Sequence, residues 1–244
     1  MMEQRPISSA LTAARRVRGP HGLISRLLVL LAFLAAIASC ATTERDPYDF
    51  EEADLHGMIY DHANQPVAGA QIIVAERRAE ITDLSGRFVL PDLPRGALVV
   101  TAAKDGYEPL TATIDFLDRT QVLYLKLWSL ADLIERAASE LEESRHAAAA
   151  VTIDRALAVA PADPAARFLA AAVVHQTDGP AAAAAALATL AADHPNLPHV
   201  YLFLADLYQH ELDEPALALQ HLEMYLALRY DRAVEQRLES LRAE

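Results

Sequence analysis

Two periodicities divide the chain near residue 127. Before it, short runs alternate apolar and polar residues with a period of two, the pattern of strands that bury one face. After it, long alanine- and leucine-rich stretches take over, with Gly179 as their one glycine. Seven runs can be marked in the first half: about Leu55 to Asp61, Ala70 to Ala75, Ala79 to Thr82, Arg87 to Leu90, Leu98 to Ala103, Leu110 to Phe116 and Val122 to Leu127. Alternation turns Phe88 and Leu90, then Leu98, Val100 and Ala102, then Leu110, Ala112, Ile114 and Phe116, then Leu123, Leu125 and Leu127 inward. Asp83-Leu84-Ser85-Gly86, Pro94-Arg95-Gly96 and Lys104-Asp105-Gly106-Tyr107 supply turn chemistry between them. The runs and turns together predict a seven-stranded antiparallel β-sandwich over 55–127.

The second half repeats. Pro161 and Pro195 are 34 residues apart, as are Pro164 and Pro198, and Pro180 and Pro215 are separated by 35. Proline is tolerated in a helix's first turn, so Asp163-Pro164, Asp178-Gly179-Pro180, Asn196-Leu197-Pro198 and Asp213-Glu214-Pro215 each read as a cap leading into a helix. A further helix over about Leu130 to Glu142 precedes them. Asp231 to Leu241 closes the series, with Val234, Leu238 and Leu241 on one face and Arg232, Glu235, Gln236 and Glu239 on the others. With a second helix in the first unit, carrying Ala149, Ile153 and Ala156 before Pro161, these stretches predict seven helices over 128–244, stacked as a solenoid of about three hairpins and a capping helix.

Both halves resemble known families. Gly57-Met58-Ile59-Tyr60-Asp61, Pro66-Val67-Ala68-Gly69-Ala70, Thr82-Asp83-Leu84-Ser85-Gly86-Arg87-Phe88, Leu93-Pro94-Arg95-Gly96 and Gly106-Tyr107 follow in order the pattern of the carboxypeptidase regulatory-like domain, a transthyretin-like sandwich. That resemblance implies an accessory module without catalytic activity. A period near 34 is that of the tetratricopeptide repeat. In the third unit Tyr201, Leu204, Ala205, Tyr208, Ala218, Leu222 and Leu226 fall where that family packs its helices, with one inserted residue at Asp213 or Glu214. Ala149, Ile153, Ala156 and Pro161 match in the first unit, and Ala183, Leu187 and Pro195 in the middle one, where Arg167 replaces a usual large apolar residue.

Ahead of the sandwich, Leu27 to Ser39 is an apolar run behind Arg5, Arg15, Arg16, Arg18 and Arg26. A spanning helix needs ~20 apolar residues, so the run reads as a secretory signal over 1–39. The 26 residues before it make a long leader and point to a translation start further in. Ile37-Ala38-Ser39-Cys40 resembles the bacterial lipobox, which implies cleavage before Cys40 and fatty acylation, palmitate among the acyl groups, at the chain's single cysteine. Several acyl chains hold a terminus firmly where one would be marginal. Ala41 and Thr42 after it are compatible, in that family, with export to an outer membrane. Residues 40–54 then form an acidic tether.

Charge narrows the partners. Five of the 21 basic residues and one of the 34 acidic ones precede Cys40, which leaves 16 against 33 and a net charge of −17 beyond the cut. Such a surface repels phosphate backbones and anionic headgroups, so nucleic acid is excluded and the lipid alone is expected to reach the membrane. Catalytic signatures are missing: the sequence has no G-x-S-x-G, H-E-x-x-H, C-x-x-C or phosphate-binding glycine loop. No cofactor, resident metal or small-molecule substrate is expected. His194, His199, His210 and His221 could form a zinc site only by converging, and Asp61, Asn64 and Asp83 could hold calcium, but solvated helix ends and loops account better for the histidines and turn capping for the other three.

A binding surface remains. In tetratricopeptide repeats the first helix of each hairpin lines a groove. Carried onto this chain, the groove positions are Phe168, Ala172, His175 and Gln176 in the middle unit and Leu202, Asp206, Gln209 and His210 in the third. His175-Gln176 and Gln209-His210 would each present an amide and an imidazole, groups suited to an extended peptide or a partner helix. The expected role is an envelope adaptor or assembly scaffold, not an enzyme. The rival is a carbohydrate- or cell-wall-binding accessory protein, which needs exposed aromatics on one face of the sandwich, with Tyr60, Tyr107 and Tyr124 available.

Overall fold

The computed structural model describes residues 48–74 and 78–243. The signal, Cys40 and most of the tether lie outside the described residues. Pro47–Glu244 forms one compact unit. Seven strands come first: β1 (Glu52–Asp61), β2 (Gln71–Val74), β3 (Arg78–Ile81), β4 (Arg87–Pro94), β5 (Gly96–Ala103), β6 (Leu110–Phe116) and β7 (Val122–Leu127). They make two sheets, ordered β4-β1-β7 and β3-β2-β5-β6.

The all-antiparallel expectation needs one correction. β7 pairs with β1 in parallel, from His56 opposite Val122 to Asp61 opposite Leu127. Period-two alternation fixes which side chains face inward and carries no information on strand direction. The chain visits the other sheet between β1 and β7, which supplies the long connection that a parallel pair requires.

The inward residues meet between the sheets. Leu55, Ile59, Ile72, Leu90, Phe116 and Leu127 are fully buried there. Gly57 faces Phe88 across the β1/β4 ladder, and a β-carbon on Gly57 would overlap the Phe88 ring. Only hydrogen fits. Buried Thr82 closes the edge: its hydroxyl accepts from Ala70 N at 2.8 Å and donates to Val67 O at 2.6 Å. In the Asp83 turn, Asp83 Oδ1 accepts from Ser85 N and Arg87 N at 2.8 and 2.9 Å, and Gly86 takes a φ of 73°.

Seven helices follow among the described residues: α1 (Leu130–Glu142), α2 (His146–Val159), α3 (Pro164–Thr177), α4 (Pro180–Asp193), α5 (Pro198–His210), α6 (Pro215–Leu228) and α7 (Arg232–Arg242). Proline opens four of them as expected, but of those four starts only Asp163 adds a side-chain cap, accepting from Ala166 N at 2.9 Å. Gly179, Leu197 and Glu214 stand at the other cap positions without one. α1 starts on a capping box in which Ser129 Oγ accepts from Asp132 N and Asp132 Oδ2 accepts from Ser129 N, both at 3.1 Å. The extra residue of the third hairpin is absorbed at Asp213, whose φ is 55°.

Each hairpin closes on small residues. Ala137, Ala149, Ala183, Ala205 and Ala218 are fully buried. α7 ends the stack, burying Val234, Leu238 and Leu241.

The sandwich and the solenoid share a built seam. Glu108 N donates to Trp128 O at 2.8 Å and Leu130 N to Gly106 O at 2.9 Å. Arg155 of α2 reaches back with Nε and Nη2 to the two oxygens of Glu108, at 2.8 and 2.6 Å. That bidentate pair holds the Glu108 carboxyl below its ordinary range. Trp128 stacks on His62, with ring centroids 3.4 Å apart and planes 15° apart. The guanidinium carbons of Arg136 and Arg155 stand 5.2 and 5.3 Å from the indole centroid. Burial, then Lys126, lowers the His62 pKa, which keeps the stacked ring neutral.

Candidate partner-binding face

The first helices of successive hairpins touch one another, α1 on α3, α3 on α5 and α5 on α7, and so form one continuous face. At its middle lies an aromatic group. Phe168 of α3 meets His199 edge-on at 4.7 Å and Phe203 at 5.9 Å, both on α5. Phe168, Leu202 and Phe203 pack against the solenoid core while remaining half-buried, and Ala172 is half-buried beside them. This face therefore presents apolar carbon to solvent.

His175 lies toward the C-terminal end of that face. Its Nε2 stands 2.8 and 2.9 Å from the two carboxylate oxygens of Glu211, and its Nδ1 is 3.1 Å from Gln176 Nε2. The pattern assigns the tautomer: Nε2–H donates to Glu211 and Nδ1 accepts from the exposed Gln176 amide. α3 and α5 are thus tied at their ends.

The third unit is engaged from within the chain. Arg237 of α7 donates through Nη1 to Asp206 Oδ1 at 2.5 Å and through Nε to Gln209 Oε1 at 2.7 Å. Its remaining nitrogen, Nη2, is buried without a hydrogen-bond partner among the described residues. Asp206 and Gln209 therefore fasten the capping helix, while His210 is exposed. The two amide-and-imidazole pairs are not equivalent: His175 and Gln209 serve helix contacts, and Gln176 and His210 face outward.

Arg237, Glu211 and Phe203 were missed in the sequence, yet one of them had a signal. Phe168 and Leu202 are 34 residues apart, and Arg237 follows Leu202 by 35, the repeat plus the residue inserted at Asp213. Arg237 occupies the next rung's groove position.

Arg167, the residue out of pattern, also finds its use. Its Nη1 donates to Asp193 Oδ2 at 2.7 Å, spanning from α3 to the end of α4. Below it, a 270 Å³ hollow is lined by Ala170, Ala171, Val174, Ala186 and Thr189. Small side chains leave that space where a larger one would normally fill it.

The histidines do not gather. His199 packs on Phe168, and His221 stacks on Tyr208 at 5.4 Å and 9°. Burial lowers the pKa of both. Among the described residues no three His, Cys, Asp or Glu side chains are grouped to hold a metal ion. In the sandwich, Asp61 Oδ1 accepts from Gln65 N, Asn64 Oδ1 from Lys126 Nζ, and Asp83 caps its own turn. No helix of the described residues is long and apolar enough to cross a membrane.

Of the tyrosines relevant to the rival reading, Tyr107 lies half-buried under Lys104, whose Nζ is 4.8 Å from the ring centroid, and burial pushes its phenol pKa up. Tyr60 and Tyr124 share the outward face of the β4-β1-β7 sheet.

Residues 54–124 match the family model of the carboxypeptidase regulatory-like domain. No curated protein matches the chain. Among solved structures, the first TPR of Spaghetti (RPAP3) bound to an HSP90 peptide is 14% identical with a TM-score of 0.42, covering 47% of this chain and 90% of that one. The Yersinia enterocolitica type III secretion chaperone SycD in complex with a peptide of the translocator YopD is 15% identical at a TM-score of 0.40, covering 46% and 88%. The Sgt2 TPR domain from Aspergillus fumigatus is 16% identical at 0.42, covering 47% and 77%.

Proposed function

Starting from a carboxypeptidase regulatory-like domain joined to a solenoid of tetratricopeptide type, we propose that this chain is a lipid-anchored adaptor of the bacterial cell envelope that captures a protein partner on the face formed by its first helices. The observation that carries the reading is the half-exposed pair Phe168 and Leu202, which occupy equivalent positions one repeat apart. A partner that places an apolar side chain on each would bury them, while Gln176 and His210 hydrogen-bond its backbone from the rim. Asp206 and Gln209 support the face through Arg237. Cys40 supplies the anchor in this reading, and the outer membrane is the favoured destination.

Crosslinking in native membranes, followed by identification of the captured protein, tests the adaptor role. Phe168→Ala together with His210→Ala should abolish capture while leaving the helical circular-dichroism signal intact, although the lost Phe168 packing lowers the melting temperature. Capture that survives both changes rejects this face. Cys40→Ser should move the protein from membrane to soluble fractions, and retention in the membrane rejects the anchor independently of the partner.

A further inference from the structure

The outward face of the β4-β1-β7 sheet has a chemistry unlike the rest of the chain. In an antiparallel or parallel ladder, residues directly opposite each other share a face, so the registers define three rows. His56 lies between Val89 and Val122, Met58 lies between Arg87 and Tyr124, and Tyr60 lies beside Lys126. The intervening Leu55, Gly57, Ile59, Phe88, Leu90, Leu123, Leu125 and Leu127 are buried on the other side. Val89, Val122 and Tyr124 are 41%, 43% and 65% exposed, a larger apolar area than alternation with polar residues would leave. Tyr60 donates its hydroxyl to the Met58 sulfur at 3.6 Å, which joins the two side chains on the face that Met58 shares with Tyr124.

Charge singles out the same rows. The chain carries 34 acidic residues against 21 basic ones, yet these three rows hold no outward carboxylate; Glu52, Asp54 and Asp92 lie exposed beyond them, at the start of β1 and beside it on β4. The ionisable groups of the rows are Arg87, Lys126 and His56. Lys126 spends one donor on Asn64 Oδ1 at 2.8 Å and keeps two.

We propose that this face binds a carboxylate-bearing polysaccharide strand. The C–H faces of sugar rings would stack on Tyr60 and Tyr124, and Arg87 would take a sugar-linked carboxylate in its two-pronged geometry. An extended polymer can follow the rows without a pocket, which suits a flat sheet. The site is separate from the helical face and does not depend on it.

The test uses the full chain in detergent with two probes, polygalacturonate and purified bacterial cell-wall sacculi, and with methyl-esterified polygalacturonate as the uncharged control. Capture of both acidic probes is expected, with weaker capture of the ester and a loss of capture as salt rises. Tyr124→Ala should weaken binding about tenfold, and Arg87→Gln with Lys126→Gln should remove the preference for the acid over the ester. Gln236→Ala, an exposed change on the capping helix, should change neither. Equal capture by the wild type and these sheet variants overturns the proposal, as does failure to retain either acidic probe. A concentration-dependent dimer dissolved by Tyr124→Ala would assign the face to a second copy of the chain and also overturn it.

Discussion

The two halves bury themselves with different mixtures of side chains. Between the sheets, the fully buried residues are large, with Leu55, Ile59, Ile72, Leu90 and Phe116 filling a gap that faces roughly 10 Å apart must leave. In the solenoid, Leu133, Leu187, Leu190, Leu204, Leu207 and Leu222 are fully buried too, but Ala137, Ala149, Ala183, Ala205 and Ala218 are buried as completely beside them. One core is built mainly of large side chains, and the other mixes leucine with many alanines. The solenoid adds polar side chains that lace its helices together: Arg167 to Asp193, Arg237 to Asp206, and Thr152 to Glu140. The comparison teaches that the same degree of burial can hide opposite tolerances, since a buried ring's site suffers most from deletion and a buried alanine's from addition.

Deletion in the sandwich should have the largest effect. Phe116→Ala removes a fully buried ring and should cost about 3–5 kcal/mol by denaturant unfolding. A loss below 1 kcal/mol would mean that the sheets collapse to fill the gap. Addition in the solenoid comes next: Ala205→Leu places new methylenes where α5 and α6 meet and should cost about 1–3 kcal/mol. The contrast would be sharpened by Ala68→Leu, which adds the same atoms at a half-exposed sandwich position and should be nearly silent. Third is the seam, where Arg155→Met keeps a long stem beside Trp128 but deletes the pair with Glu108. Both side chains are about 30% exposed, so solvent screening holds the expected cost to about 1 kcal/mol. Differential scanning calorimetry should then resolve two transitions where the wild type shows one.

The smallest effect depends on pH. Glu140 is buried on α1, where Thr152 Oγ1 donates to it at 2.7 Å and Arg136 Nε at 2.9 Å. The Thr152 bond is the leading cause of a pKa held below the ordinary 4.5, opposed by burial. A depressed carboxylate contributes stability that is complete above its unfolded pKa and fades as pH falls through its folded one. The stability advantage of the wild type over Thr152→Val should therefore be constant above about pH 5.5 and shrink below 4.5. An advantage that stays flat down to pH 3 would assign the hydroxyl a packing role only.

What could be read in the sequence follows the range of the forces involved. β6 and β7 were delimited to the residue because alternation and turn chemistry are local, and the four proline starts were legible for the same reason. Asp83, Ser129 and Asp163 act within four residues of themselves. The parallel pairing of β1 with β7 and the Arg155 bridge to Glu108 join residues 47 or more positions apart, and no periodicity encodes them. At the candidate face, Phe168 and Leu202 could be placed by repeat spacing, whereas the capture of Asp206 and Gln209 by Arg237 depends on how the capping helix rotates as it docks. His62 stacking on Trp128 is likewise a product of docking.

The parallel alignment of β1 and β7 has a mechanical consequence. The chain enters the sandwich at the start of β1 and leaves for the solenoid at the end of β7. If the chain is held ahead of β1 and tugged through its helices, these neighbouring strands are drawn in opposite directions along their own length. The ladder from His56 to Asp61 is then loaded in shear, and its hydrogen bonds must rupture together instead of peeling one by one. An antiparallel arrangement of the same two strands would unzip under that load.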